Sequence, residues 1–369
     1  MKNILITGGA GFIGSHLSDE LIEKGYTVRV LDSLIAQVHG PDAERPEYLN
    51  PNVELIVGDV RDKATVLRAL KGIDAVYHFA ARVGVGQSMY EVNEYTDVNN
   101  RGTAVLLEAL IESPVKRLVV ASSMSIYGEG LYVSSAGDVV EDANRPLEQL
   151  KRSHWELESN GVALKPIPTP ESKKPSLASV YALSKYDQEV MSLICGKAYS
   201  IPTVALRFFN VYGTRQSLSN PYTGVLAIFA SRYLNNKAPI VFEDGEQKRD
   251  FVHVKDVAKA CRLALEVEDA AYEVFNIGSG NSYTVNEIAQ KLRNTMGVEI
   301  EQNATGEYRV GDIRHCFGDI SKAKTILGFE PEVSLEDGLQ ELAVWLEEQV
   351  AVDNVDQAKQ ELAARGLTV

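Results

Sequence analysis

Cysteine is nearly missing from this chain. Its three copies, Cys195, Cys261 and Cys316, stand far apart and in no metal-ligand spacing. No metal is expected, and free thiols of this kind suit a reducing, cytoplasmic setting. Positive charge is also short. Lys and Arg total 37 against 51 Asp and Glu, a formal charge of −14. That balance argues against nucleic acid or an anionic membrane surface as partner, while leaving room for a small anionic ligand held by a few local arginines. No apolar run approaches the about 20 residues that span a bilayer. No apolar leader precedes the fold, because Asn3–Thr7 already reads as a strand. Internal repeats are lacking too.

What remains is an ordinary globular composition, with 45% hydrophobic and 24% charged residues over 369 positions. The first half alternates apolar runs with helical patterns. Strands are expected at Asn3–Thr7, Thr27–Leu31, Val53–Val57, Ala75–Phe79, Leu118–Ala121 and Thr203–Phe208, with helices at Phe12–Lys24, Lys63–Leu70 and Glu94–Glu112. This rhythm predicts an α/β fold of Rossmann type, a doubly wound parallel sheet. Residues 129–176 break it. They are polar, carry Pro146, Pro166, Pro168, Pro170 and Pro175, and hold no sustained period. They read as an insertion or lid over the site, or as a surface excursion.

The expected organisation is a nucleotide-binding domain over 1–216 and a smaller α+β substrate lobe over 217–349, some of its elements interleaved with the first domain. The lobe has helices at Gly224–Leu234, Lys255–Leu265, Val285–Met296, Ser321–Leu327 and Leu335–Glu348, and strands near Ile240–Phe242 and Val274–Ile277. Residues 350–369 read as a peripheral tail.

Thr7-Gly8-Gly9-Ala10-Gly11-Phe12-Ile13-Gly14 sits between the first strand and the first helix. Gly8, Gly11 and Gly14 permit a tight turn, close approach to a pyrophosphate and close helix–strand packing, and the helix N-terminus offers its free N–H groups. Asp32 ends the second strand. Its carboxylate either caps the next turn or takes both hydroxyls of an adenosine ribose, and it would repel a 2′-phosphate, which favours NAD over NADP. Asp59 and Val60 are placed to touch the adenine, and Ala80 and Ala81 to pass beneath the cofactor.

Tyr181 and Lys185 stand four apart in Ser179-Val180-Tyr181-Ala182-Leu183-Ser184-Lys185, on one face of an expected helix. An ammonium beside a phenol favours the phenolate, which makes a tyrosine a usable base near neutral pH. Tyr-x-x-x-Lys by itself is equally an ordinary helix face; beside a nucleotide cradle and the Ser122-Ser123 strand end it points to a dehydrogenase.

These motifs resemble the extended short-chain dehydrogenase/reductases, specifically the nucleotide-sugar epimerase/dehydratase family. Further matches are Val98-Asn99-Asn100-Arg101-Gly102-Thr103, Ser122-Ser123-Met124-Ser125-Ile126-Tyr127-Gly128, Arg207-Phe208-Phe209-Asn210, Arg249-Asp250-Phe251 and Arg309-Val310-Gly311-Asp312. The resemblance implies catalysis by Ser123, Tyr181 and Lys185, with Ser122 at the cofactor and Asn99 supporting the site near Lys185 or the cofactor. It implies Ser125, Asn210 and Asp312 at the substrate, with Arg249 and Arg309 clamping a diphosphate. Met124 and Ser125 stand where dehydratases carry an Asp-Glu pair, so the chemistry implied is C4 epimerisation of a nucleoside-diphosphate sugar.

Ser123–Gly130, Asn220–Val225 and Gly311–Cys316 resemble a subgroup that interconverts dTDP-L-rhamnose and dTDP-6-deoxy-L-talose. A UDP-glucose/galactose epimerase, a nucleotide-sugar reductase and a non-catalytic NAD-binding sensor are the rival readings. Tyr181 lies 58 positions after Ser123, about twice the gap in plain epimerases, so the intervening chain is expected to loop out as a cover. The resemblance also implies a homodimer through helices at Glu94–Glu112 and Ala178–Ala198, whose apolar residues are equally explained by packing on the sheet.

Overall fold

The computed structural model describes residues 1–42 and 44–368. Seven parallel strands form the main sheet: β1 Asn3–Thr7, β2 Thr27–Asp32, β3 Glu54–Val57, β4 Ala75–His78, β5 Arg117–Ser123, β6 Thr203–Phe208 and β7 Val274–Ile277. Their order is β7-β6-β5-β4-β1-β2-β3. β5 and β6 are buried at every position, as strands covered by helices on both faces must be. The order reverses between β1 and β4, which pair Ile4 with Ala75 through Thr7 with His78. Such a switch point opens a crevice at the carboxyl ends of the strands.

The main helices are α1 Phe12–Glu23, α2 Lys63–Leu70, α3 Gly102–Glu112, α4 Val180–Ala198, α5 Val225–Leu234, α6 Val254–Glu266, α7 Val285–Met296, α8 Leu335–Leu346 and α9 Val355–Ala364. α1 and α6 cover one face of the sheet, where Leu17, Leu21, Val257 and Cys261 join Ile4, Val30 and Phe275 in the largest apolar core. A second core, around Leu226, Phe229, Ile288, Leu292, Leu339 and Leu342, unites α5, α7 and α8 as the lobe. The α7 start follows directly from sequence. Thr284 accepts from Glu287 N at 3.1 Å while Glu287 accepts from Thr284 N at 2.7 Å, a reciprocal cap.

Three expectations change. The Val274–Ile277 strand is not in the lobe; it pairs with Ala205–Phe208 at the edge of the main sheet. The single helix expected over Glu94–Glu112 is interrupted by a wider π turn at Thr96–Arg101, and Ser321–Leu327 likewise contains a π turn at Ala323–Leu327. Residues 129–176 are not a featureless loop. They hold short strands, with Lys165–Ile167 paired to Leu131–Val133, and they dock on the chain near 315–319. There Gly130 N donates to His315 O at 2.7 Å and Thr169 N to Phe317 O at 2.8 Å.

That docking is secured by buried charge. Arg314, 1% exposed, donates to Glu156 at 2.9 Å, Glu243 at 2.9 Å and Asp244 at 2.6 Å. Arg145 from the insertion meets Glu243 at 2.7 Å. Burial works against the Arg314 charge, but the Asp244 and Glu156 carboxylates outweigh it and hold the guanidinium firmly protonated. Among the described residues, no helix is long and apolar enough to cross a membrane.

Candidate active site

The crevice at the switch point widens into one cavity of about 670 Å³ running from the glycine turn to the lobe. At one end lie Gly8, Gly11, Phe12, Ile13 and Gly14. Each glycine answers a different constraint. Gly8 has φ +70, and a Cβ there would sit 2.8 Å from Ala80 N. At Gly14 a Cβ would lie 2.5 Å from the Gly9 Cα. At Gly11 the nearest atom would be Gly8 O at 3.4 Å, so a side chain would instead project into the space a ligand uses. This cradle fits a pyrophosphate.

Asp32 reaches the cavity, and its oxygens accept from Ala10 N at 3.0 Å and Leu34 N at 2.9 Å. Its negative charge there opposes a 2′-phosphate. His39 lies beside it, Nε2 3.7 Å from Asp32 Oδ1. Burial pulls the His39 imidazole below its ordinary pKa against the pull of Asp32. Asp59 and Val60 line the same region. The Asp59 carboxylate is held by Arg61, at 3.0 and 2.7 Å, and stays below the usual carboxylate range for that reason. Ala80 and Ala81 also line the cavity.

Asn99 is not a cavity contact: it is fully buried behind the wall, beside Ser184 and so near Lys185. Its Oδ1 accepts from Arg82 N at 2.7 Å, and its Nδ2 donates to Arg82 O at 3.1 Å and Ser184 Oγ at 2.9 Å. It therefore fixes the chain that follows Ala81, and the π turn that carries it aims it there. Ser122 lines the cavity, but its hydroxyl donates to Glu189 at 2.6 Å.

Ser123, Tyr181 and Lys185 meet on the central wall. The Ser179 hydroxyl caps α4 by accepting from Ala182 N at 3.1 Å. Tyr181 thus enters in the first turn, where the helix dipole favours an anion. Ser88 Oγ accepts from Tyr181 N at 3.0 Å, and Tyr95 packs edge-on at 6.5 Å. Ser123 Oγ accepts from Ser125 N at 3.2 Å and Ser125 Oγ at 2.9 Å.

The electrostatics differ from the sequence expectation. Burial pushes the Tyr181 phenol above its ordinary value, and the Ser123 hydroxyl only opposes that rise. Lys185 donates to Gln188 at 2.7 Å, and burial lowers it to about 7 against the charge of Glu189. The protein alone does not make this tyrosine acidic, because desolvation disfavours the charged form of both groups.

The far end holds Asn210, Arg249, Arg309 and Asp312. Asn210 Oδ1 is buried with no hydrogen-bond partner among the described residues. Arg249 donates to the carbonyls of Lys248 at 2.9 Å, Ile313 at 2.6 Å and Arg314 at 2.9 Å, so its charge is oriented and, among the described residues, meets no carboxylate. The next residue, Asp250, is fully buried and accepts from Ser279 N at 2.7 Å and Gly280 N at 3.1 Å. Burial raises it to about 6 despite those bonds. Arg309 pairs with Asp312 at 2.8 Å and stacks over Phe242 at 4.5 Å.

Two further expectations are corrected. No residue of 129–176 lines the cavity; the segment leans on its outer wall through Arg314. The tail called peripheral does line it, through Val355, Ala358, Lys359, Leu362 and Leu367. Sequence reasoning also missed His39 and the loop Val83–Gly86. For the tail, the helical recurrence of 355, 358, 359 and 362 was the available signal.

Comparison with known proteins supplies the lineage. The family model described as NAD dependent epimerase/dehydratase matches residues 4–152 and 159–278. The chain is 35% identical over 353 residues to dTDP-L-rhamnose 4-epimerase of Burkholderia thailandensis, covering 95% of this chain and 96% of that one. It is similar to the solved UDP-glucose 4-epimerase of Thermotoga maritima with UDP-glucose, at 34% identity and TM-score 0.76, over 94% of this chain and 99% of that chain. UDP-glucuronic acid 4-epimerase of Bacillus cereus, solved with UDP-glucuronic acid and NAD, gives 29% identity and TM-score 0.76, over 94% and 99%. A glycine turn, Asp32 and a Ser/Tyr/Lys wall in one cavity agree with these likenesses, and the chain belongs to the NAD dependent epimerase/dehydratase family, with NAD as its cofactor.

Proposed function

We propose that the protein interconverts nucleoside-diphosphate sugars epimeric at C4, with dTDP-L-rhamnose and dTDP-6-deoxy-L-talose as the pair. One observation carries the reading. The Ser/Tyr/Lys wall lies between a dinucleotide cradle and an arginine that meets no carboxylate among the described residues, with no acid or base at Met124 or Ser125. Gly8, Gly11, Phe12, Ile13 and Gly14 would hold the pyrophosphate of NAD, and Asp32 its ribose. Arg249, Arg309 and Asn210 hold the sugar diphosphate; Arg309 exchanges Asp312 for phosphate as the planar fork turns.

Ser123 orients the C4 hydroxyl, and Tyr181 takes its proton as the hydride leaves C4. Lys185 would hold the nicotinamide ribose, and its ammonium would favour the phenolate that Tyr181 needs in order to take the C4 hydroxyl proton. NAD supplies the hydride acceptor and, through its positive ring, the charge that a phenolate at Tyr181 needs. The diphosphate grip is firm, while Val83, Gly84, Val85, Met89 and Met124 stand with Arg82 and Ser125 in the lining toward the Ser/Tyr/Lys wall. The keto sugar can then turn and take the hydride on its other face. The likeness to UDP-glucose 4-epimerase supports UDP-hexoses as the second reading. A homodimer would cover Ile111, Leu183 and Ile194, which are 36%, 45% and 62% exposed on α3 and α4.

The test is a panel of dTDP- and UDP-sugars incubated without added nicotinamide and followed by NMR. A new C4 epimer from dTDP-L-rhamnose is expected. Product from UDP-hexoses alone would reassign the substrate, and silence throughout would reject epimerisation. Tyr181→Phe should lower turnover by about 10²–10⁴-fold, the usual worth of a general base, while NAD binding measured by fluorescence survives.

A further inference from the structure

The tail crosses the cleft. Its first residues are tied to the lobe, where Arg232 meets Asp353 at 3.0 Å and Asn354 Nδ2 donates to Ser219 O at 2.9 Å. Its far end is tied to both walls. Glu361 accepts from Tyr90 at 3.1 Å, on the sheet side, and from Tyr222 at 3.5 Å, on the lobe side. Arg365 stacks on the Tyr90 ring at 4.3 Å. Val310 N donates to Leu367 O at 3.0 Å, and Thr368 pairs with Arg309 itself.

Between these anchors α9 turns one stripe inward. Val355, Ala358, Lys359 and Leu362 recur at helical spacing and all line the cavity. Leu362 lies over the loop beside Tyr181: a Cβ on Gly86 would come within 3.3 Å of it. Lys359 lies at the arginine end, its ammonium 2.8 Å from Glu307.

We infer that α9 is the fourth wall of the nucleotide-sugar site, with Leu362 and Lys359 touching bound substrate, and that it keeps the oxidised sugar from leaving. The inference rests on the epimerase reading. Between the two hydride transfers the sugar has lost its hydroxyl proton and hydride, and the cofactor holds the electron pair. A keto sugar that escapes at that moment leaves the cofactor reduced and the protein stalled. A cover that blocks escape without gripping the ring meets the need. An apolar leucine can do that above the sugar, and a lysine can add grip at the diphosphate, where grip is wanted.

The experiment compares the full chain with Leu362→Asp, with Lys359→Ala and with a chain ending at Gln349. Folding is checked by circular dichroism and thermal melting. The full chain should epimerise with little rise in the near-ultraviolet absorbance of reduced nicotinamide. Leu362→Asp and the shortened chain should release 4-keto sugar, trapped by borodeuteride and read by mass spectrometry, as reduced nicotinamide accumulates. Lys359→Ala should raise KM by about tenfold with kcat nearly kept. If the shortened chain fails to fold, the two point variants decide. Folded Leu362→Asp that epimerises like the full chain and releases no keto sugar overturns the inference. Should the full chain itself form neither epimer nor keto sugar, the epimerase reading fails instead. Calorimetric titration with dTDP and UDP then judges the wall alone, and equal affinities for the full chain and Lys359→Ala overturn it.

Discussion

Residues 129–176 and 350–369 exchange the roles their sequences suggest. The longer segment is polar and proline-rich, as a mobile cover is expected to be, yet it is pinned through Arg145, Glu129 and Glu156 to the outside of the substrate loop. The shorter one reads as an appendage, yet it lines the cavity. The difference lies in how each is held. The insertion is fixed by charges buried against one another, where loss of one partner leaves the other stranded. The tail is fixed at its start by Arg232 and Asp353, which are themselves buried, but at its far end by the partly exposed contacts of Glu361 and Arg365, which are worth little singly and can part. A brace and a gate need those two kinds of fastening.

The largest test of that contrast is Arg314→Met. It leaves Glu243 buried beside Arg145 alone and should cost about 3–5 kcal/mol of stability in urea unfolding. It should also raise KM, because Arg249 holds the carbonyls on either side of this loop position. A loss under about 1 kcal/mol would mean that the brace is ornamental. Next is Leu362→Ser, which removes a buried contact from a helix at the margin of the fold. A loss of at most about 2 kcal/mol is expected, with its main consequence in keto-sugar release rather than unfolding. A larger loss would make the tail part of the core and erase the contrast.

Acid separates the two segments further. Glu156 is held at about 2, first by His315 and then by Arg314. Its folded pKa is below its unfolded value of about 4.3, so it contributes stability above that value and loses it as pH falls toward about 2. Burial raises Glu243 and works in the opposite direction, which softens the slope. Hydrogen-exchange protection of 129–176, taken relative to the intrinsic exchange rate at each pH, should therefore fall in acid, and Glu156→Gln should flatten that response. The smallest effect belongs to Lys237, paired with Asp353 at 2.8 Å near the start of the tail. Lys237→Ala should change stability by no more than about 1 kcal/mol and fade in high salt.

The sheet was legible because its strands are apolar on both faces. β1 and β6 match the expected bounds, while β5 extends to Ser123 and so carries the reacting serine at its tip. The glycine cradle was legible because its spacing leaves few alternatives. Val274–Ile277 was recognisable as a strand but not as the seventh of the main sheet, since pairing with β6 joins residues far apart in the chain. Arg314, Glu243 and Arg145 carry charges that ordinarily mark surface, and nothing local announces their burial. The tail pattern discloses an apolar stripe but not what it faces. Asn99 came with its motif but not with its contacts, because a single π turn decides whether it reaches the cavity or the chain behind it.

The central claim is that hydrogen leaves C4 as hydride and returns to the same carbon within one covered site. The direct measurement is turnover of the nucleotide sugar deuterated at C4, in ordinary water, with product analysed by mass spectrometry and NMR. Full retention of deuterium at C4 of the epimer is predicted. Washout of deuterium into solvent during turnover would contradict it.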